Sequence, residues 1–236
     1  MKIDEPLSKL LGLTASFLIY FYPTQATSEI VDNFSIKIMG RSVGYFSIYQ
    51  NHETQVKKIT VTGEVSGTPL RIFDGVFNSS LVTTAYDDGT KFSTYVSKQI
   101  RPSKSREIHF QKNERKLVSV QVNPLTQRTA LSEPFTVMTE FTDPITALLR
   151  LTRFPCAEDF TIYDGRRLTR VRKELAKSDN ECEYTYQVNK GPGHLAPFYI
   201  RNLQIITKKQ DLMGNRSLQI TTRLGPFTLQ FTSDRD

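Results

Sequence analysis

The sequence contains no tryptophan, only two cysteines and only three histidines among its 236 residues. So few cysteines exclude a disulfide-dense scaffold, and so few cysteines and histidines leave little material for a metal centre. Charged residues make up 23% of the chain and hydrophobic residues 38%, which excludes both a disordered chain and a polytopic membrane protein. These absences leave a globular protein with a net charge of +7.

The first 26 residues have the features of a secretory signal peptide. An uncharged apolar run of 13 residues, Leu10 to Tyr22, is too short to cross a bilayer, which takes about 20 residues. The small residues Thr24 and Ala26 follow at the −3 and −1 positions of a peptidase site, so we predict cleavage after Ala26 and export to the periplasm. Asp4 and Glu5 offset the positive charge before the run, which leaves an uncleaved anchor or a buried first helix as alternatives.

Cys156 and Cys182 are the two cysteines, and an exported protein normally oxidises a single pair. The other interpretations are a metal site and a catalytic thiol. The histidine nearest in sequence is His194, and neither a CxxC nor an HxxxH spacing occurs. We therefore predict a disulfide between Cys156 and Cys182, with no bound metal and no cofactor.

Apolar and polar residues alternate with a period of two along much of the chain, as in strands with one face on a core and one in water. Asp-Gly pairs at Asp88 and Asp164 supply the positive φ of tight hairpins. This pattern predicts an all-β, mainly antiparallel, meandering sheet of about ten or more strands. The clearest alternating segments are residues 34–38, 59–65, 118–122, 184–188 and 227–231.

One segment, at about 143–153, has the pattern of a short helix. Asp143 suits the N-cap and Pro144 the first helical position. Ile145, Leu148 and Leu149 follow with helical spacing, so the helix has one apolar face to cover an edge of the sheet. Neither a linker nor a repeat interrupts the chain, which predicts a single domain over residues 30–236.

The stretch FSIKIMGRSVGYFSI, the DPITALLRL helix and Cys156 shortly before YDGRRL resemble an uncharacterised family of exported bacterial proteins, domain of unknown function thirty-one-oh-eight. In that family a strand ending in Gly-x-x-x-Gly leads the domain, as Gly40 and Gly44 do here. The resemblance covers about residues 30 to 235. It implies a curved open sheet, an unclosed barrel or a β-spiral, that wraps an apolar groove.

The sharpest local motif is the turn formed by Tyr163, Asp164, Gly165, Arg166 and Arg167. In a functional interpretation, these residues form an exposed polar patch that binds a partner or an anionic head group. The alternative, which turn geometry favours, is an ordinary hairpin with solvated arginines.

Much of the excess positive charge lies in two basic stretches, residues 101–116 and 166–177. Such stretches suit nucleic acid or anionic lipid. Export and the lack of a nucleic-acid-binding motif disfavour nucleic acid, and a solvated strand face is the favoured interpretation. His194 lies in a Gly- and Pro-rich loop, but no hydrolase or nucleotide motif accompanies it, so we predict no catalytic residue.

These patterns predict a monomeric, non-catalytic periplasmic protein that binds a lipid, an acyl chain or an extended partner segment in an apolar groove. The alternatives are an envelope scaffold that acts through a sheet edge or its basic face, and a hydrolase without a recognisable motif. An outer-membrane barrel is disfavoured, because the arginine-rich stretches would put charge into lipid. The candidate groove residues are Phe34, Ile36, Ile38, Tyr184, Tyr186, Phe227 and Phe231.

Overall fold

The computed structural model describes residues 29–38, 40–68, 74–102, 104–114, 116–137, 139–152, 156–174, 180–194, 200–209, 216–222 and 228–233. The predicted signal segment, residues 1–26, lies outside these ranges. The first seven strands are β1 (Glu29–Ile38), β2 (Arg41–His52), β3 (Val56–Val65), β4 (Gly75–Ala85), β5 (Lys91–Arg101), β6 (Lys104–Asn113) and β7 (Lys116–Asn123). Three 3-10 turns (Leu125–Gln127, Ala130–Ser132, Pro134–Thr136) and α1 (Pro144–Leu151) follow. The last six strands are β8 (Phe160–Tyr163), β9 (Leu168–Lys173), β10 (Glu181–Lys190), β11 (Asn202–Lys209), β12 (Arg216–Thr222) and β13 (Thr228–Ser233).

The thirteen strands form one antiparallel sheet in the order β7-β6-β5-β4-β3-β2-β1-β13-β12-β11-β10-β9-β8. Every strand pairs with its neighbours in sequence, except that β7 and β8 do not pair with each other. Instead β1 pairs with β13, so the two terminal strands lie in the middle of the sheet. This order confirms the predicted antiparallel meander and places β7 and β8 at the two edges.

The sheet curls until its two edges approach each other. The rings of Phe110 on β6 and Tyr163 on β8 have centroids only 5.2 Å apart, although these strands lie near opposite edges. A right-handed twist accumulated over many strands produces such curling, but closure also requires the edge strands to pair. The structure therefore confirms the open, unclosed form of barrel.

The described residues of the segment between β7 and β8, here called the β7–β8 connection, are 124–137, 139–152 and 156–159; their 3-10 turns contact β7 and α1 contacts β8. On the β8 side, Thr142 N donates to Thr161 O at 2.8 Å, and Tyr163 N donates to Thr142 O at 2.9 Å. Apolar side chains of the connection join the core formed by the inner face of the sheet. These side chains are Leu131, Val137, Phe141, Ile145 and Leu149.

Helix α1 confirms the predicted helix. Asp143 Oδ1 accepts from Thr146 N at 2.8 Å, which caps the helix, and Pro144 occupies its first turn. Ile145 and Leu149 are buried against the sheet. In the described ranges there is no helix that is long and apolar enough to cross a membrane.

The predicted alternation matches the burial of side chains in β1, β3 and β10, where Phe34, Ile59 and Tyr184 are buried. In β7 it is wrong at Val118, which is 50% exposed. There the register shifts from Gln111 opposite Ser119 to Lys112 opposite Leu117, so Val118 is the extra residue of a bulge. Leu117 is buried in its place.

The predicted disulfide is present. Cys156 of the β7–β8 connection and Cys182 of β10 are bonded, with an S–S distance of 2.01 Å and a Cα–Cα distance of 5.6 Å. The bond therefore ties the connection to a strand two places in from the β8 edge.

Candidate functional site

The turn between β8 and β9 is shaped by Asp164. Its Oδ1 accepts from the backbone N–H groups of Arg166 and Arg167, both at 3.0 Å. Gly165 has φ of 90°, a value that an L side chain disfavours. Asp164 Oδ2 also lies 2.8 Å from Nε of Arg167. The Asp-Gly pair thus forms a tight turn, as the sequence predicts, and the same aspartate contacts the following arginine.

The β7–β8 connection binds the backbone and one side chain of this turn. Ser132 Oγ donates to Gly165 O at 2.9 Å, and Thr129 Oγ1 donates to Arg166 O at 2.8 Å. In return Arg166 Nε donates to Gln127 O at 2.6 Å. The turn is therefore held between the connection and the sheet.

The turn is more buried than the hairpin interpretation predicts, since that interpretation leaves both arginines in solvent. Arg167 is only 5% exposed, and Tyr163 is fully buried, with its hydroxyl donating to Leu131 O at 2.6 Å. Arg166 is half-buried, and burial lowers the pKa of its guanidinium. The expectation of solvated arginines is wrong because the sheet curls over this turn: a Cβ on Gly165 would lie 2.4 Å from Ile108 Cγ2.

Arg106 of β6 joins the arginines of the turn. It lies on the same face of its strand as the buried Ile108 and Phe110, and its Nη2 donates to Gln99 Oε1 at 2.6 Å. Burial, followed by the charge of Arg166, lowers the pKa of Arg106 to about 10, so the side chain remains charged at neutral pH. We call Arg106, Arg166 and Arg167, with Asp164, the arginine cluster.

His194 lies beside this cluster. Its Nε2 and the hydroxyl of Tyr186 are hydrogen-bonded at 2.6 Å. Burial and then the charge of Arg167 lower the pKa of His194 to about 4, and burial raises the pKa of Tyr186 to about 12. Both side chains are therefore neutral near pH 7. His194 is thus hydrogen-bonded to a tyrosine, whereas a general base of a hydrolase needs a nucleophile and an orienting acid.

The two basic stretches divide into exposed and inward-facing residues. Arg101, Lys104, Lys116, Arg170 and Arg172 are exposed, as the solvated-face interpretation predicts. Arg106, Lys112, Arg166 and Arg167 are not, since the curled sheet and the connection cover them. The charge composition of the sequence locates the two basic stretches, but it cannot separate their exposed residues from their inward-facing ones.

The candidate groove residues whose side chains the structure describes are Phe34, Ile36, Ile38, Tyr184 and Tyr186. Phe34, Ile36 and Ile38 are at most 4% exposed, and Tyr184 is fully buried. Tyr186 is half-buried. Phe231 lies opposite Ile36 in the pairing of β13 with β1, and Phe227 falls outside the described residues.

Arg106 is the member of the cluster that sequence reasoning did not single out. The sequence pattern that could have identified Arg106 is the alternation of residues 106, 108, 110 and 112. In this pattern an arginine occupies the first inward position of a strand with a buried face. Periodicity can place Arg106 on that face, but it cannot show that the β8–β9 turn packs against β6 from the other edge of the sheet.

The arginine cluster contains three guanidiniums and one carboxylate in a largely buried environment. Such an arrangement suits the binding of an oxyanion, because the planar fork of arginine matches carboxylate and phosphate groups. Among the described residues, no group of three or more His, Cys, Asp or Glu side chains is placed to hold a metal ion.

Fold and site together define an open, curled antiparallel β-sheet protein whose arginine cluster lies where the β8–β9 turn packs against β6. The chain is similar to a solved structure described as a beta-barrel-like protein of domain of unknown function DUF1849 from Brucella abortus, with a TM-score of 0.38 and 12% sequence identity. That similarity covers 89% of this chain and 98% of the Brucella chain. No family model matches the sequence, and none of the curated proteins matches it.

Proposed function

We propose that this is a non-catalytic protein of the cell envelope that holds a lipid or an acyl chain against the inner face of its curled sheet. The observation that carries the proposal is that β7 and β8, the two edge strands, do not pair with each other and are joined by the β7–β8 connection. A sheet whose two edge strands do not pair with each other can accept an apolar chain between them, provided that the connection moves aside.

The packing of the inner face defines how such a ligand would enter. Phe34 stacks on Phe46 with ring centroids 4.5 Å apart, and Phe110 meets Phe141 of the connection edge-on with ring centroids 6.2 Å apart. A ligand would therefore take over the contacts of connection side chains such as Phe141 and Leu149. Exchange of one apolar contact for another costs little free energy, which supports a mobile cover.

The setting we propose is the periplasm, with the signal peptide removed after Ala26 and residues 30–236 folded as one monomeric domain. The disulfide supports an oxidising compartment. Membership of family thirty-one-oh-eight is part of the proposal. It is supported by Gly44, which is too close to Glu64 O for any Cβ, and by Gly40, which has φ of 79°.

The test uses the full chain expressed with export and purified from the cell envelope. Native mass spectrometry before and after denaturation, with lipid extraction, would reveal a bound molecule. Delipidated protein is then titrated with monoolein, a neutral lipid that isolates apolar binding from charge. We expect monoolein to bind and to raise hydrogen exchange across residues 124–152. A protein that releases no lipid, ignores monoolein and shows unchanged exchange would contradict the proposal.

A second candidate is an interaction scaffold, and two exposed apolar residues of the connection favour it. Phe135 is 90% exposed and Leu125 is 73% exposed. Isolated exposed apolar residues are common, but two large ones on one segment suit a protein contact. One stoichiometric partner that binds wild type, is lost with Phe135→Ser, and is retained with Tyr86→Ser on the β4–β5 turn would support this function.

A further inference from the structure

We propose that the arginine cluster binds an oxyanion, a carboxylate or a phosphate, between the side chains of Arg106 and Arg167. The inference rests on the proposed function, since the oxyanion would be the head group of the bound lipid. It names the chemical class of ligand that the inner face takes: an amphiphile with an anionic head.

Two buried donors of the cluster carry this inference. Nη1 of Arg167 and Nε of Arg106 are buried, and neither has a hydrogen-bond partner within the described part of the chain. Arg167 itself is 95% covered, being 5% exposed. A buried charged donor without an acceptor is costly, so native proteins rarely keep one without a compensating group.

The net charge of the cluster also favours a bound anion. Asp164 contacts Arg167 Nε at 2.8 Å, and Arg166 and Arg106 donate to neutral oxygens, those of Gln127 and Gln99. The four side chains of the cluster thus hold two positive charges more than negative ones. A bound carboxylate or phosphate would offset this excess in an environment with little water to screen it.

Packing around the cluster limits access of water. A Cβ on Gly191 would lie 2.5 Å from Arg166 O and 2.9 Å from Arg167 Cα, so the segment after β10 lies directly on the turn. His194 is neutral there, and its partner Tyr186 carries a hydroxyl. An oxyanion bound beside them would be desolvated, which strengthens charge-assisted hydrogen bonds.

The neighbouring surface suits the rest of an amphiphile. Arg106, Ile108 and Phe110 succeed one another on the inward face of β6. A head group held by Arg106 would therefore leave its chain beside the apolar inner face. The chain would have to displace contacts that Phe110 makes with Tyr95 and Phe141.

The test compares three probes by isothermal titration calorimetry on delipidated full chain purified from the envelope: oleate, monoolein and inorganic phosphate. We expect oleate to bind at least about tenfold more tightly than monoolein, because the carboxylate of oleate can accept charge-assisted hydrogen bonds from the arginines and the neutral head of monoolein cannot. Competition by phosphate would identify a free oxyanion as an alternative source of the same chemistry.

Variants then assign the effect to the cluster. Arg106→Gln and Arg167→Gln should each lower the affinity for oleate about tenfold and leave that for monoolein unchanged. Arg170→Gln is the matched control, because Arg170 is exposed, pairs with Asp159 at 3.6 Å and lies on β9, the strand that follows the turn. Near-ultraviolet circular dichroism establishes that each variant is folded, and Arg106→Gln suffices if Arg167→Gln does not fold.

The outcomes separate the two proposals. Oleate and monoolein binding equally, with no effect of Arg106→Gln and no binding of phosphate, would overturn the oxyanion site and keep the lipid-binding function. Phosphate binding that Arg106→Gln removes, with neither lipid bound, would keep the oxyanion site and refute the lipid-binding function. Absence of binding by all three probes would refute both.

Discussion

Gly165 lies in the turn that packs across the open side of the sheet, and its substitution tests that packing. Gly165 and Gly89 have similar φ values, 90° and 83°, but only Gly165 has a neighbour within van der Waals reach of an added Cβ. We expect Gly89→Ala to cost about 1 kcal/mol through backbone strain alone. Gly165→Ala should cost about 3 kcal/mol, because Ile108 must also move.

Urea unfolding of both variants measures this difference. Equal losses of free energy of unfolding would show that the turn does not press against β6 in solution, and the curled form of the sheet would need revision.

His194 makes the stability of the protein depend on pH. Its pKa is about 4 in the fold, lowered by burial and then by Arg167, with Asp164 opposing and Arg106 adding to that effect. The unfolded chain has an ordinary histidine pKa of about 6.5. Between these values the unfolded state binds more protons, so stability falls as pH decreases from about 6.5 to about 4. The loss is on the order of 3 kcal/mol.

The His194→Gln variant should therefore lose less stability than wild type between pH 6.5 and pH 4. The exposed His52 provides the control, because His52→Gln leaves the buried histidine in place. Free energies of unfolding measured at several pH values give the two slopes. A slope that His194→Gln leaves unchanged would assign the acid sensitivity to other groups.

Helix α1 depends on one aspartate that performs two tasks. Asp143 caps the helix through Thr146, whose N–H and hydroxyl donate to its two oxygens at 2.8 and 2.7 Å. Its Oδ2 also lies 3.9 Å from Nζ of the mostly buried Lys112. Burial lowers the pKa of Lys112, and Asp143 opposes that shift. The aspartate thus joins the connection to β6.

Asp143→Ala should destabilise the protein by about 2 to 3 kcal/mol, since it removes the cap and leaves Lys112 without its carboxylate. Asp143→Asn keeps an oxygen for the Thr146 N–H and should cost about 1 kcal/mol less. Thermal unfolding of the two variants at pH 7 decides between them. If Asn and Ala cost the same, the cap contributes nothing and the charge alone matters.

The β7 edge illustrates how one residue alters an element. The bulge at Val118 shifts the alternation, so that Leu117 and Val122 are buried while Val118 faces out. Bulges are common at sheet edges, where they increase local twist and discourage pairing with another strand. This edge is therefore poorly suited to pair with β8, which agrees with the open sheet.

At the scale of the whole molecule, the disulfide restrains the β7–β8 connection by bonding it to β10. Cys156 and Cys182 are 26 residues apart, and closure of a loop of that size should stabilise the protein by about 3 kcal/mol in the loop-entropy account. The Cys156→Ala, Cys182→Ala double variant should lose this amount in urea unfolding. Reductant should lower the stability of wild type toward that of the variant, and it should leave the variant unchanged.

Pairing of the two terminal strands in the middle of the sheet is the other large-scale feature. Because β1 pairs with β13, residues almost 200 positions apart in sequence meet in the middle of the sheet, as Phe34 does with Ser233. Such non-local pairing slows folding, because the chain loses the entropy of a long loop before the stabilising contacts between the two strands form. Among the strands that the structure describes, β7 and β8 are the pair of sequence neighbours that do not lie side by side, and the connection joins them.

Local physics, read from the sequence, was enough for the all-β class, the antiparallel meander, the helix at Asp143 and the disulfide. Each rests on residues close in sequence or, for the two cysteines, on a single possible pair. Period-two alternation, Asp-Gly turns and a capped, proline-started helix act within about ten residues, and the structure follows them.

Only the tertiary structure decided which charges are buried. Arg106 and Arg167 are 61 positions apart, and the turn and β6 meet only because the sheet curls far enough to bring its edges together. The sum of small twists between strands controls that curl, and no local pattern in the sequence encodes it. The same curl makes a turn with the pattern of a solvated hairpin into part of a buried arginine cluster.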